Sequence, residues 1–146
     1  MNKPQPRLLN YTTSISPEKT VSEIQQKLAQ HGAFQILHDG MISGVSFKIR
    51  TKFGELAFQL PANIEAVEKI MQSQFRRGKM VGKEQATRVA WRIIKDWTEA
   101  QLALLQTGMV TVEQVFMPYM QDAKGRTLYE ALVDKKFAGL ALEDKR

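Results

Sequence analysis

The sequence predicts an α+β domain: a small antiparallel β-sheet with an N-terminal helix, followed by a helical C-terminal half packed on one sheet face. Three observations carry this prediction. Val45 to Leu60, VSFKIRTKFGELAFQL, alternates apolar and polar residues with a period of two, the mark of a half-buried hairpin. Residues 84–107 repeat apolar side chains at three- and four-residue spacing over more than half a helical circumference, which marks a long helix covered on two sides or by a second subunit. Strand patterns precede helical ones along the chain, the order expected of two packed layers.

Residues 1–10, with two prolines, read as a flexible arm, and Tyr11 to Ile15 as a short strand because Tyr, Thr and Ile suit a pleated surface. Thr20 and Glu23 have capping-box spacing at the start of the first helix, Val21, Ile24 and Leu28 form its apolar stripe, and Gly32 supplies a left-handed stop. Ala33 to Leu37 form a strand, with His38, Asp39 and Gly40 as turn residues. In the hairpin, Val45, Phe47, Ile49, Leu56, Phe58 and Leu60 face inward; Ser46, Lys48, Arg50, Lys52, Glu55, Ala57 and Gln59 face outward. Pro61 ends the sheet, and Asn63 caps a second helix whose stripe is Ile64, Val67, Ile70 and Met71 and which stops near Gln74.

Phe75 to Lys83, FRRGKMVGK, combines four cations with two glycines and has no period, so it reads as a mobile loop. The third helix follows to Thr107 and is closed by Gly108; Ala86, Ala90, Ile93, Trp97, Ala100 and Leu104 form one stripe, widened by Trp91, Ile94, Leu102 and Leu105. Both tryptophans therefore belong to the core. Thr111 with Gln114 opens a short helix that Pro118 ends or kinks, and Thr127 with Glu130 opens another. The layout is one domain over residues 11–138 with a charged tail at 139–146.

At 146 residues and 43% apolar content, the chain can bury a single core without metals or disulfides. Its net charge of +6 is unevenly placed: residues 44–95 hold eleven Lys and Arg against four Glu, a net of +7, and the remainder carries −1. With no cysteine, disulfides, thiolate zinc sites and cysteine nucleophiles are excluded, which fits a reducing compartment. No apolar run suits a signal peptide or approaches the roughly 20 residues of a membrane span, so a cytoplasmic protein without a membrane partner is expected. There is no glycine-rich phosphate loop, nucleophile elbow or metal-binding histidine pair. His31 and His38 read as surface or turn histidines, and the carboxylate pairs Glu65/Glu68 and Asp96/Glu99 as solvated helix faces. The expectation is a non-enzyme with no catalytic residue, no metal and no cofactor.

The cations carry the functional reading. Lys48, Arg50 and Lys52 form a strip about 13 Å long on the outer hairpin face. Arg76, Arg77, Lys79 and Lys83 supply the loop, and Arg88, Arg92 and Lys95 line the N-terminal half of the third helix's polar face, with Glu99 in reach of Lys95. Cations near a helix start oppose its dipole, a cost that a bound anion reverses. Phe53 at the hairpin tip and Phe75 beside the arginines fall outside every apolar period, and single-strand binders pair a cationic groove with rings on which bases stack. No helix-turn-helix lies among these cations, so nucleic acid, single-stranded DNA first, would be held with little sequence specificity.

Several segments, YTTSISPEKTVSEIQQKLAQHGA, FQLPANIEAV, ATRVAWRIIKDWTEAQLALLQTGMV and VFMPY with GRTLYE, span most of residues 11–132. Together they resemble a family of small, mostly uncharacterised proteins encoded by phages and prophages. The resemblance implies a viral accessory role in the host bacterial cytoplasm, in handling DNA or in countering a host system, and carries over no catalytic residue. The alternative is therefore an anti-defence inhibitor that sequesters a nucleotide signal or binds a host protein, with Phe116, Met117, Tyr119 and Met120 as apolar anchors. An unrecognised enzyme is the third reading. The breadth of the third helix's apolar surface also suits a homo-oligomer.

Overall fold

In a computed structural model, the described residues are 6–38, 44–74 and 82–142. The elements are α1 (Pro17–Gln30), β1 (Phe34–His38), β2 (Gly44–Thr51), β3 (Gly54–Pro61), α2 (Ile64–Gln74), α3 (Lys83–Thr107), α4 (Val112–Phe116) and α5 (Leu128–Asp134), with a 3₁₀ turn at Met117–Tyr119. The mixed α+β architecture agrees with the sequence reading. The strands form an antiparallel meander in the order β1-β2-β3, and β2 and β3 pair in unbroken register from Gly44 opposite Pro61 to Thr51 opposite Gly54. At Gly44 the strands approach so closely that a Cβ would collide with the Leu60 carbonyl oxygen, which only glycine avoids.

The inward hairpin residues form the core as expected. Phe47 and Phe58 stack with centroids 5.3 Å apart, and Phe116 of α4 meets them edge-on at 5.5 and 5.8 Å. Val21, Ile24 and Leu28 of α1 and Trp91 and Leu102 of α3 complete this cluster. A second cluster, Met71 with Ala86 and Val89, joins α2 to α3 and receives Leu8, Tyr11, Ile64, Val67 and Ile93. The apolar breadth of α3 is thus taken up within the chain by α1, α2 and the sheet. Trp91 is buried, and Trp97 packs against Phe116 at 6.0 Å.

Four local expectations are corrected. Tyr11 to Ile15 is turn and coil, because the carbonyls of Tyr11 and Thr13 accept from the Gln85 side chain at 3.2 and 2.9 Å instead of from a strand. The arm is tied down from Pro6 onward: Gln74 accepts from Leu8 N and donates to Pro6 O, and Asn10 donates to Asp96 at 2.8 Å. Helix α1 starts earlier than Thr20, since Ser16 accepts from Lys19 N and Pro17 sits in the first turn, where its missing N–H costs nothing. Thr20 is consequently buried inside the helix. On α3, Ala100 is exposed while Thr98 is buried, its hydroxyl satisfied by Ile94 O at 2.7 Å.

Other terminal signals hold. Asn63 Oδ1 accepts from Ala66 N at 3.0 Å, Gly108 closes α3 at φ 78°, and Thr111/Gln114 and Thr127/Glu130 form reciprocal capping boxes. Lys83, placed by the sequence in the loop, is the first residue of α3 after Gly82. Among the described residues no helix is long and apolar enough to cross a membrane.

Candidate nucleic-acid interface

The outer sheet face gathers the hairpin cations with two aromatic rings. Lys48 and Arg50 alternate with buried Phe47 and Ile49, so both project away from the core. Arg50 meets Glu55 at 3.5 Å, but both side chains are more than half exposed, and such a pair contributes little. Its guanidinium also lies 4.5 Å from the centroid of the Phe34 ring. At the tip, Thr51 Oγ1 accepts from Phe53 N and donates to Gly54 O, fixing the two-residue turn. Phe53 is 70% exposed there, with Lys52 Nζ 5.1 Å from its ring centroid.

Phe34 is the residue that sequence reasoning missed. Plain alternation in FQILH would put Phe34, Ile36 and His38 on one face. Instead Gln35 adopts φ 48° and the register shifts between Phe34 and Leu37, so Phe34 pairs opposite Lys48 on the outer face. Ile36 and His38 stay on the core side, and the His38 ring meets Trp91 at 5.1 Å. His38 thereby belongs to β1 and not to a turn. The only hint in the sequence was the three-residue spacing of Phe34 and Leu37, two exposed or half-exposed apolar groups.

The helical cations are arranged differently. Arg92 Nη1 donates to Glu23 Oε2 at 2.8 Å and to Thr20 Oγ1 at 3.4 Å, and Lys95 bridges Glu23 at 4.0 Å and Glu99 at 2.9 Å. Their side chains are 12% and 15% exposed, so the expected open cationic face is an ion network between α1 and α3. The physical reason is the earlier start of α1, which leaves Glu23 free of capping and aims it at α3. Arg88 donates to Gln85 at 3.1 Å beside this network. The core lies between these helices and the outer sheet face, so the two sets do not form one groove. Lys83 is exposed at the start of α3, whereas Phe75, Arg76, Arg77 and Lys79 lie outside the described residues.

Arg92→Ser should lower stability by about 1 to 2 kcal/mol in urea denaturation, with the partial exposure of Glu23 limiting the loss, and leave single-strand affinity within twofold. A large affinity loss without a stability loss would return Arg92 to the interface.

Beyond β3, Gln121 N donates to Ala57 O at 2.8 Å and Leu128 N to Met120 O at 2.7 Å, extending the sheet by a short loop-borne edge. Asp122 anchors this loop. Although partial desolvation opposes the shift, hydrogen bonds from the backbone N–H groups of Arg126 and Lys124, and the Arg126 guanidinium, hold its carboxyl below the usual range. Its contribution is therefore present at neutral pH and is lost only as the pH falls through that lowered value. Of the apolar anchors expected for a protein partner, Phe116 is fully buried, Tyr119 and Met120 pack against the core, and Met117 is 43% exposed.

No family model, curated protein or solved structure matches this chain.

Proposed function

We propose that the outer sheet face binds single-stranded nucleic acid, with Lys48, Arg50 and Lys52 on phosphates and Phe53 and Phe34 available to bases. DNA is the preferred polymer in the phage-type setting that the resemblance implies. The observation that carries this reading is an exposed phenylalanine at the tip of a cationic hairpin, beside a second ring on the same face. A large exposed ring costs solubility, and stacking a base on it is worth about 1 to 3 kcal/mol. Cation and ring occur together here, the combination that non-specific single-strand binding uses.

The test is fluorescence anisotropy with labelled single-stranded and duplex oligonucleotides of several lengths at two salt concentrations. Tight, length-dependent, salt-sensitive binding to single strands is the expected result. No binding at low salt would overturn the proposal. Phe53→Ala should weaken single-strand binding about tenfold and duplex binding far less; equal losses on both would remove base stacking at the tip.

One observation favours the second reading, sequestration of a phosphorylated nucleotide signal. A cleft of about 220 Å³ between α1 and α3 is lined by Lys27, Arg92 and Lys95. Glu23 and Glu99 already hold two of those cations, so an anion would have to displace a carboxylate. On the sheet face Arg50 would leave only the largely exposed Glu55 contact, a pair of little worth, and Lys48 and Lys52 carry no ion pair among the described residues.

A further inference from the structure

A cavity of about 270 Å³ opens beside β3, walled by Gln59, Pro61, Tyr119, Thr127, Tyr129 and Glu130. Resting on the single-strand reading above, we infer that this cavity takes one nucleobase of the bound strand.

Position is the first support. Gln59 and Pro61 alternate with buried Phe58 and Leu60, so they share the outer face with the cationic strip. Gln59 pairs opposite Ser46, two residues from Lys48. Strand rise and spacing put the Lys48 and Gln59 positions about 8 Å apart, a gap that a lysine side chain and one sugar bridge. A phosphate held by Lys48 would therefore deliver a neighbouring base to the cavity mouth.

Charge is the second. Among the described residues the one charged group in the lining is Glu130, an anion, so a phosphate is disfavoured where a neutral planar ring is not. The rings are positioned in advance, Tyr119 by Trp97 at 5.6 Å and Tyr129 by Phe137 at 6.1 Å. The volume suits one ring system and is smaller than sites for drug-sized ligands.

Hydrogen bonding is the third. Glu130 Oε1 serves the capping box, accepting from Thr127 Oγ1 at 3.0 Å, while Oε2 has no partner among the described residues. Gln59 Oε1 accepts from Gln121 at 3.1 Å, which fixes its amide and leaves its N–H₂ as a donor. A free acceptor and a free donor in one lining complement the donor and acceptor that every base carries on its pairing edge, thymine with N3–H and O4 as well as cytosine and adenine with an amino group and a ring nitrogen.

The experiment compares oligo-dC, oligo-dA, oligo-dT and an abasic strand of equal length on wild type, Glu130→Gln and Tyr129→Ala, with circular dichroism melts to verify folding. Wild type should bind dC, dA and dT about tenfold more tightly than the abasic strand, with parallel salt slopes. Glu130→Gln retains the cap oxygen but replaces the free acceptor with a donor, so base-bearing strands should weaken several-fold while the abasic strand is unchanged. Tyr129→Ala should weaken base-bearing strands about tenfold and leave the abasic strand unchanged. Equal wild-type binding to all strands, or variants that weaken the abasic strand as much as the others, would overturn the base pocket while leaving the phosphate strip standing. Failure of wild type to bind any strand, abasic included, would overturn the strip and the pocket together.

Discussion

Replacing Lys48, Arg50 and Lys52 together with Ser should leave the fold intact and flatten the salt dependence of single-strand binding by about two units of log affinity per log salt. All three project from the outer face or the tip, and among the described residues the only ion pair lost is the exposed Arg50–Glu55 contact, so circular dichroism and melting should hardly change. Each single-strand phosphate neutralised contributes about 0.7 to the slope, and three such contacts give the stated change. Between 50 and 200 mM salt the wild type should thus lose about 16-fold more affinity than the variant. An unchanged slope would mean that the phosphate path does not run along the hairpin.

The second large effect concerns stability. Phe116→Ala should cost about 3 to 5 kcal/mol, read as a lowered urea midpoint. This ring is fully buried and touches Phe47, Phe58 and Trp97, so it joins β2, β3 and α3 at one point. Truncation leaves a cavity between two layers that cannot close without moving α3. Against a typical total of about 5 to 15 kcal/mol, such a loss is a large share. Binding per folded molecule should be retained, because the ring lies behind the sheet. A loss below about 1 kcal/mol would mean that α4 docks loosely and contributes little to the core.

What was legible in the sequence was whatever local physics decides. The alternation around Phe47 and Phe58, the capping boxes at Thr111 and Thr127, Asn63 before α2 and Gly108 after α3 depend on neighbours within a few residues. What was not legible depends on partners distant in the chain. Thr20 and Glu23 have the spacing of a capping box, yet Ser16 and Pro17 make the better start, and Glu23 is claimed by Arg92, 69 residues away. Tyr11 looks like a strand residue, but its carbonyl is met by a glutamine on α3. The candidate site divides along the same line: the hairpin cations follow from alternation, whereas Phe34 enters only through the backbone of Gln35.

That left-handed Gln35 has another effect. With Met120 and Gln121 bridging onto β3, β1 borders the sheet on its opposite side. A straight strand there would offer an evenly spaced row of amides and carbonyls to any passing extended chain, and Leu37, 65% exposed, would reward the encounter. The kink breaks that row after its first residue, so a foreign strand cannot zip along it in register. The distortion that lends the sheet its second outward aromatic ring also makes its border a poor template for aggregation.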